Sequence, residues 1–194
     1  MTNLWIAKGV MLVAIIMTLV IRAPHGRRSR AIRIAKDRKS RWDVGLVLLT
    51  IVGFWMPVIW VSSSGFSFAD YTLRLGSLIV GVACYMVGLA LFHRSHADLG
   101  TNWSVTLQVR ENHRLITRGV YRRVRHPMYA ALFLYSAGQA LVVPNWIAGP
   151  SYLIALAILF TRRVGIEERM MLEQFGDDYA AYLTTTNRFI PGLW

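Results

Sequence analysis

A chain of 194 residues that is 55% hydrophobic and 16% charged, with a mean hydropathy of +0.40, is too apolar for an ordinary soluble domain, so its expected solvent is lipid. The net charge of +12 invites comparison with nucleic-acid-binding proteins, but the cations gather beside long apolar runs, where they orient a membrane protein and touch anionic headgroups. Nucleic acid is therefore set aside. Cys84 is the single cysteine and lies within an apolar run, which excludes an intrachain disulfide and a zinc site built on thiolates.

A bilayer core about 30 Å thick asks for roughly 20 apolar residues per helix. Residues 4–21, 44–61 and 72–92 come near that length and predict three spans. The first lacks a basic start and a small-residue cleavage pattern and is followed by a basic run, so it reads as a span rather than a leader. Two shorter runs, 128–143 and 147–160, flank the "PNW" turn and predict a tight helical hairpin. The sequence thus predicts an all-α integral membrane protein of five transmembrane helices. It forms one domain, capped by residues 93–127 and 161–194.

Charge supports five spans. Nine Lys/Arg lie in residues 22–41, seven in 94–125 and four after 160, leaving only Lys8 and Arg74 of the 22 elsewhere. Five crossings put the three basic segments on one side. By the positive-inside rule that side is cytoplasmic, with the N-terminus outside and the C-terminus inside.

Chemistry is expected in the cap. Residues 93–125, punctuated by Gly100, Asn102 and Gly119, predict loops and short turns. The segment after Thr161 begins as a helix whose 100° wheel gathers Val164, Met171, Leu172, Phe175, Tyr179, Tyr182 and Leu183 on one stripe. Glu168 falls near the middle of that stripe and Glu167 near its edge. Buried carboxylates need a cation or a donor, supplied either by Arg118, Arg122 or Arg125 as structure or by a ligand. Just before the fourth run, Pro127 suits the first turn of a helix, and Arg125 and His126 stand at an end that favours an anion. The same cations also suit an interfacial anchor, the reading that position alone favours.

The segments "HRLITRGVYRRVRHPMY" and "EERMMLEQFGDDYAAY" resemble the isoprenylcysteine carboxyl methyltransferase family and its relatives, the phospholipid N-methyltransferases. The resemblance rests on His113, Leu115, Gly119 and Tyr121, the Arg125-His126-Pro127-x-Tyr129 core, Glu167-Glu168, Phe175-Gly176 and Tyr179, and it covers roughly the C-terminal half. It implies an integral membrane enzyme that uses S-adenosylmethionine, needs no metal, and acts at the plasma membrane of a prokaryote or the endoplasmic reticulum of a eukaryote. It also implies a cofactor pocket in which Arg125 or His126 holds the methionyl carboxylate and Glu167 and Glu168 take the amino group or ribose hydroxyls. His113, Leu115 and Tyr121 would line the adenine side, Gly119 and Pro127 would belong to the same cofactor-binding set, and Tyr129 would guide the methyl end with Arg125 as a further positioning candidate. The acceptor would be a prenylated cysteine carboxylate entering from the lipid, or a phospholipid amine. Many members carry an R-V-P tail where this chain has Thr185, Thr186 and Asn187, followed by Arg188 and Pro191.

Two other readings remain. Sterol-type reductases resemble this family in their cofactor region but are much larger. A membrane scaffold would explain the charge and the spans, though not carboxylates on an apolar stripe.

Overall fold

The computed structural model describes residues 2–30, 34–37, 40–100, 108–110, 114–190 and 192. Among these described residues six α-helices follow in order: α1 (Thr2–Arg30), α2 (Arg41–Ser62), α3 (Leu75–Leu99), α4 (Pro127–Val142), α5 (Ser151–Phe175) and α6 (Asp177–Thr185). Three of the boundaries have a clear local cause. Ser40 caps α2 by accepting from the Asp43 N–H at 3.1 Å. Pro127 occupies the first turn of α4, where no N–H is needed. Gly176, at φ 51°, ends α5, and its N–H donates to the Leu172 carbonyl at 2.8 Å.

Three helical stretches, Asn3–Gly26, Arg41–Ser62 and Leu75–Leu99, are long and apolar enough to cross a membrane. The 16 residues of α4 reach only about 24 Å at 1.5 Å per residue, and α5 turns polar after its first ten. The two shorter runs are joined by eight residues, 143–150, rather than by the expected three. Asn145 builds this connection: its Oδ1 accepts from the N–H groups of Ile147 and Ala148, and its Nδ2 donates to the Phe66 carbonyl and Asp70, both at 2.7 Å. Helix α5 therefore starts at Ser151, not 147.

Small residues let α3 and α4 pack closely. A Cβ on Gly81 would stand 2.6 Å from Val142 Cγ2, and one on Gly88 would stand 2.9 Å from the Tyr135 nitrogen. Phe54, Tyr85, Tyr135 and Tyr152 form the aromatic centre where α2 to α5 meet; Tyr85 and Tyr135 are 4.8 Å apart, edge to face.

The cap departs from expectation in three ways. Helix α3 runs seven residues beyond the predicted span, to Leu99. Ile34–Asp37 pairs antiparallel with Gln108–Arg110, so the chain is not purely helical; strands of four and three residues are too short for a period-two pattern to register. The stripe traced on one wheel is broken at Gly176. Tyr179 and Tyr182 are buried on α6, a separate helix, while Leu172 is exposed.

Candidate active site

The site forms where α4, α5 and the C-terminal tail meet. The chain at Arg123–His126 runs beside the tail: the N–H groups of Arg125 and His126 donate to the carbonyls of Asn187 and Arg188 at 2.8 and 3.1 Å, and Asn187 N–H returns to the Arg123 carbonyl. Thr185, Thr186 and Asn187 thus lie against the predicted site.

Two linked charge networks result. In the first, Glu168, only 8% exposed, receives Arg188 through Nε at 2.9 Å and Nη2 at 2.6 Å, and Arg125 Nε at 3.3 Å. His126 Nε2 lies 3.4 Å from Glu168 Oε1, off the line of a hydrogen bond. Burial alone would raise the Glu168 carboxyl, but His126 and Arg188 outweigh it and hold the group down at about 2. Arg125 also donates through Nη1 to the carbonyls of Leu183 and Thr186, tying down the end of α6. Arg118 and Arg122, the other expected partners, are exposed.

In the second network, Glu167 Oε1 accepts from Arg163 Nε at 2.6 Å and from the Tyr129 hydroxyl at 2.9 Å. Arg163 reaches on to buried Asp43 of α2 at 3.7 Å. His126 Nδ1 stands 3.7 Å from Glu167 Oε2 and so sits between the two carboxylates. Among the described residues, His126 Nε2 and Asp43 Oδ2 are buried without a hydrogen-bond partner.

A cavity of about 370 Å³ opens beside these groups. Its ionic end is lined by Arg125, His126, Arg163 and Glu167, with Leu115, Tyr121 and Tyr129 adjoining; its other end is walled by Leu19, Ile51, Phe54, Leu132 and Leu156 from α1, α2, α4 and α5. Of the sequence-predicted residues, Leu115, Tyr121, Arg125, His126, Tyr129 and Glu167 line it. Glu168 stands behind, in the ion cluster. Pro127 is buried as the first residue of α4. Gly119 serves the backbone: it takes φ +60°, a Cβ there would fall 2.0 Å from Asp98 Oδ2, and the same oxygen accepts from the Val120 N–H at 2.9 Å. His113 lies outside the described residues, as do Asn102 and Trp103.

Arg163 and Asp43 join the networks without having been singled out in the sequence, and Arg188, noted there only as part of the tail, was given no role. Arg163 was legible in principle, since it precedes Glu167 by four residues on one helix. Asp43 was not, because the pairing crosses 120 residues.

An integral membrane helical protein, with an ionic pocket that continues into an apolar channel, is the class this geometry defines. Residues 80–173, just under half of the chain, match the sequence model of the isoprenylcysteine carboxyl methyltransferase family. Among similar proteins is the protein-S-isoprenylcysteine O-methyltransferase of Tribolium castaneum, 32% identical over 114 residues, 58% of this chain and 41% of the relative. The Homo sapiens protein of that name is 30% identical over 59% of this chain and 42% of its own length. That of Schizosaccharomyces pombe is 26% identical over 73% and 53%. The chain thus spans about half the length of the curated relatives it matches. A solved eukaryotic intramembrane Ras methyltransferase, isoprenylcysteine carboxyl methyltransferase, shares the fold, with a TM-score of 0.54 at 24% identity over 82% of this chain and 55% of that one.

Proposed function

We propose that this protein transfers a methyl group from S-adenosylmethionine to a lipophilic acceptor in the membrane, the C-terminal carboxylate of a prenylated cysteine. The observation that carries the reading is the continuity of the cavity, ionic at one end and apolar at the other. One ligand with an amino-acid headgroup and another with a lipid tail are what such walls suit.

The residues present fit the cofactor. An amino-acid headgroup brings one carboxylate and one ammonium. His126, whose buried Nε2 makes no hydrogen bond though it faces Glu168 at 3.4 Å, answers the first, and Glu167, 3.7 Å away, answers the second. Leu115 and Tyr121 offer apolar surface for the adenine side, where His113 also belongs in this proposal. Arg125, Glu168, Pro127 and Gly119 hold the loop and tail in place. Bound there, the cofactor supplies an electrophilic methyl carried on a sulfonium. The protein's own contribution is alignment and exclusion of water: Tyr129 and Arg163 fix Glu167 from two directions, and the apolar helices admit the acceptor from the lipid. An ionised carboxylate acceptor needs no base, and none is assigned.

The same reading embeds α4 and the first half of α5 as a hairpin beside the three long helices. It sets the N-terminus outside and residues 93–127 and 161–194 as the cytoplasmic cap, in line with the basic segments. Purified protein incubated with methyl-labelled S-adenosylmethionine and farnesylated N-acetylcysteine is expected to give a base-labile methyl ester. Base-stable label appearing on added phospholipid instead, with none on the thioether acid, would overturn the carboxylate assignment in favour of an amine.

A further inference from the structure

At the far end of the bundle, α2 places Trp60 seventeen residues beyond Asp43, about 26 Å along the helix from the candidate active site. A second cavity of about 340 Å³ opens there, between Lys8 of α1, Trp60 and the serines at 62–64 and 67, with Asp70 at its edge. Lys8 Nζ lies over the rings of Trp5 and Trp60, 5.2 and 5.6 Å from their centroids, and has no carboxylate within ion-pair distance among the described residues. Three of the four serine protons are committed: Ser62, Ser63 and Ser67 donate to the carbonyls of Val58, Ile59 and Ser64. Those hydroxyl oxygens are left to the cavity lining as acceptors. Asp70 takes both the Trp60 Nε1 and Asn145 Nδ2 donors on Oδ1, which leaves exposed Oδ2 for a further donor. Trp5 and Trp146, 73% and 71% exposed, mark this end as the membrane interface.

One cation beside several acceptors and a carboxylate matches a headgroup that joins a phosphate to an ammonium bearing N–H donors. We propose that this cavity binds a phospholipid with a primary-amine headgroup of the ethanolamine type, its phosphate on Lys8 and its ammonium on Asp70 and the serine oxygens. A choline headgroup lacks the N–H donors, and a glycerol headgroup lacks the ammonium. The lipid belongs to the leaflet opposite the cofactor pocket, so it is a bound stabilising ligand and not the methyl acceptor. The site stands independently of the methyl-transfer reading.

The test is thermal unfolding of detergent-purified full chain with dioleoyl phosphatidylethanolamine, phosphatidylcholine or phosphatidylglycerol, and with inorganic phosphate alone. The ethanolamine lipid is expected to raise Tm by about 2–4 °C more than the choline lipid, a difference that Lys8→Gln and Asp70→Asn each remove. Because Asp70 also secures Trp60 and Asn145, Lys8→Gln is the variant that decides if Asp70→Asn fails to fold. Equal shifts from the ethanolamine and choline lipids, or a preference that survives Lys8→Gln, overturn the proposal. A shift reproduced by inorganic phosphate alone or by the glycerol lipid shows a bare anion site and overturns it too.

Discussion

Glu168 meets Arg188, Arg125 and His126 in one partly dry cluster, so its charge matters to the fold before it matters to a ligand. Its pKa is lowered from 4.5 to about 2, which means the folded state binds the proton less readily than the unfolded chain. The resulting stabilisation is complete above about pH 4.5 and is lost as pH falls toward 2. Glu168→Gln is expected to cost about 3 kcal/mol at pH 7, and wild type should lose that lead on acidification through this window. A gap between the two unfolding curves that stays constant from pH 6 to pH 3 would count against the assignment. Glu168 is thus a poor reporter of ligand binding, and Tyr129 is a better one. Tyr129→Phe keeps the ring against Phe160, 5.0 Å between centroids, while removing the bond to Glu167. It should weaken S-adenosylhomocysteine binding about tenfold with little loss of Tm, as read by calorimetric titration. Unchanged affinity would take the Tyr129–Glu167 pair out of the cofactor site.

Helix ends and helix contacts decide where these side chains stand. The loop before α4 takes its shape from Gly119, whose positive φ and contact with Asp98 admit no Cβ. Gly119→Ala is expected to destabilise by about 1–3 kcal/mol and to weaken cofactor binding with it, measured by denaturant unfolding beside titration. The apolar runs at 4–21, 44–61 and 72–92 were legible because twenty-residue hydropathy is a local signal, and the positions of Glu168 and Glu167 on the α5 face followed from a 100° wheel. Glu168 is indeed more buried than Glu167, with side-chain exposures of 11% and 23%. The wheel failed past Phe175 because one glycine in the left-handed region starts a new axis. Apolar run length missed the extra turns of α3, whose polar end looked like loop, and the 143–150 connection, which is held by Asn145 contacts to Phe66 and Asp70 far away in sequence.

Across the whole molecule, the site depends on distant segments converging. Arg163 of α5 links Asp43 of α2 to Glu167, and Arg188 of the tail closes on Glu168. The apolar arm of the cavity is walled by four helices, so filling it should separate the two substrates. Leu156→Trp is expected to raise KM for a farnesylated acceptor several-fold while leaving S-adenosylhomocysteine affinity unchanged. Equal loss of both would indicate general unfolding rather than a blocked channel. A drop in cofactor affinity alone would move the lipid path elsewhere.

The sequence by itself determined the membrane class, the three long apolar helices, the basic segments and the motif that resembles the methyltransferase family, because each is carried by composition or by residues close along the chain. Only the tertiary structure decided which cation meets which carboxylate. It turned Arg125 toward Glu168 and the end of α6, brought in Asp43 and Arg188, and showed the backbone geometry that Gly119 supplies. Pairing of buried charges is a matter of distance in space, which local patterns do not encode. The joining of an ionic pocket to an apolar channel likewise exists only once separate helices pack around a common void.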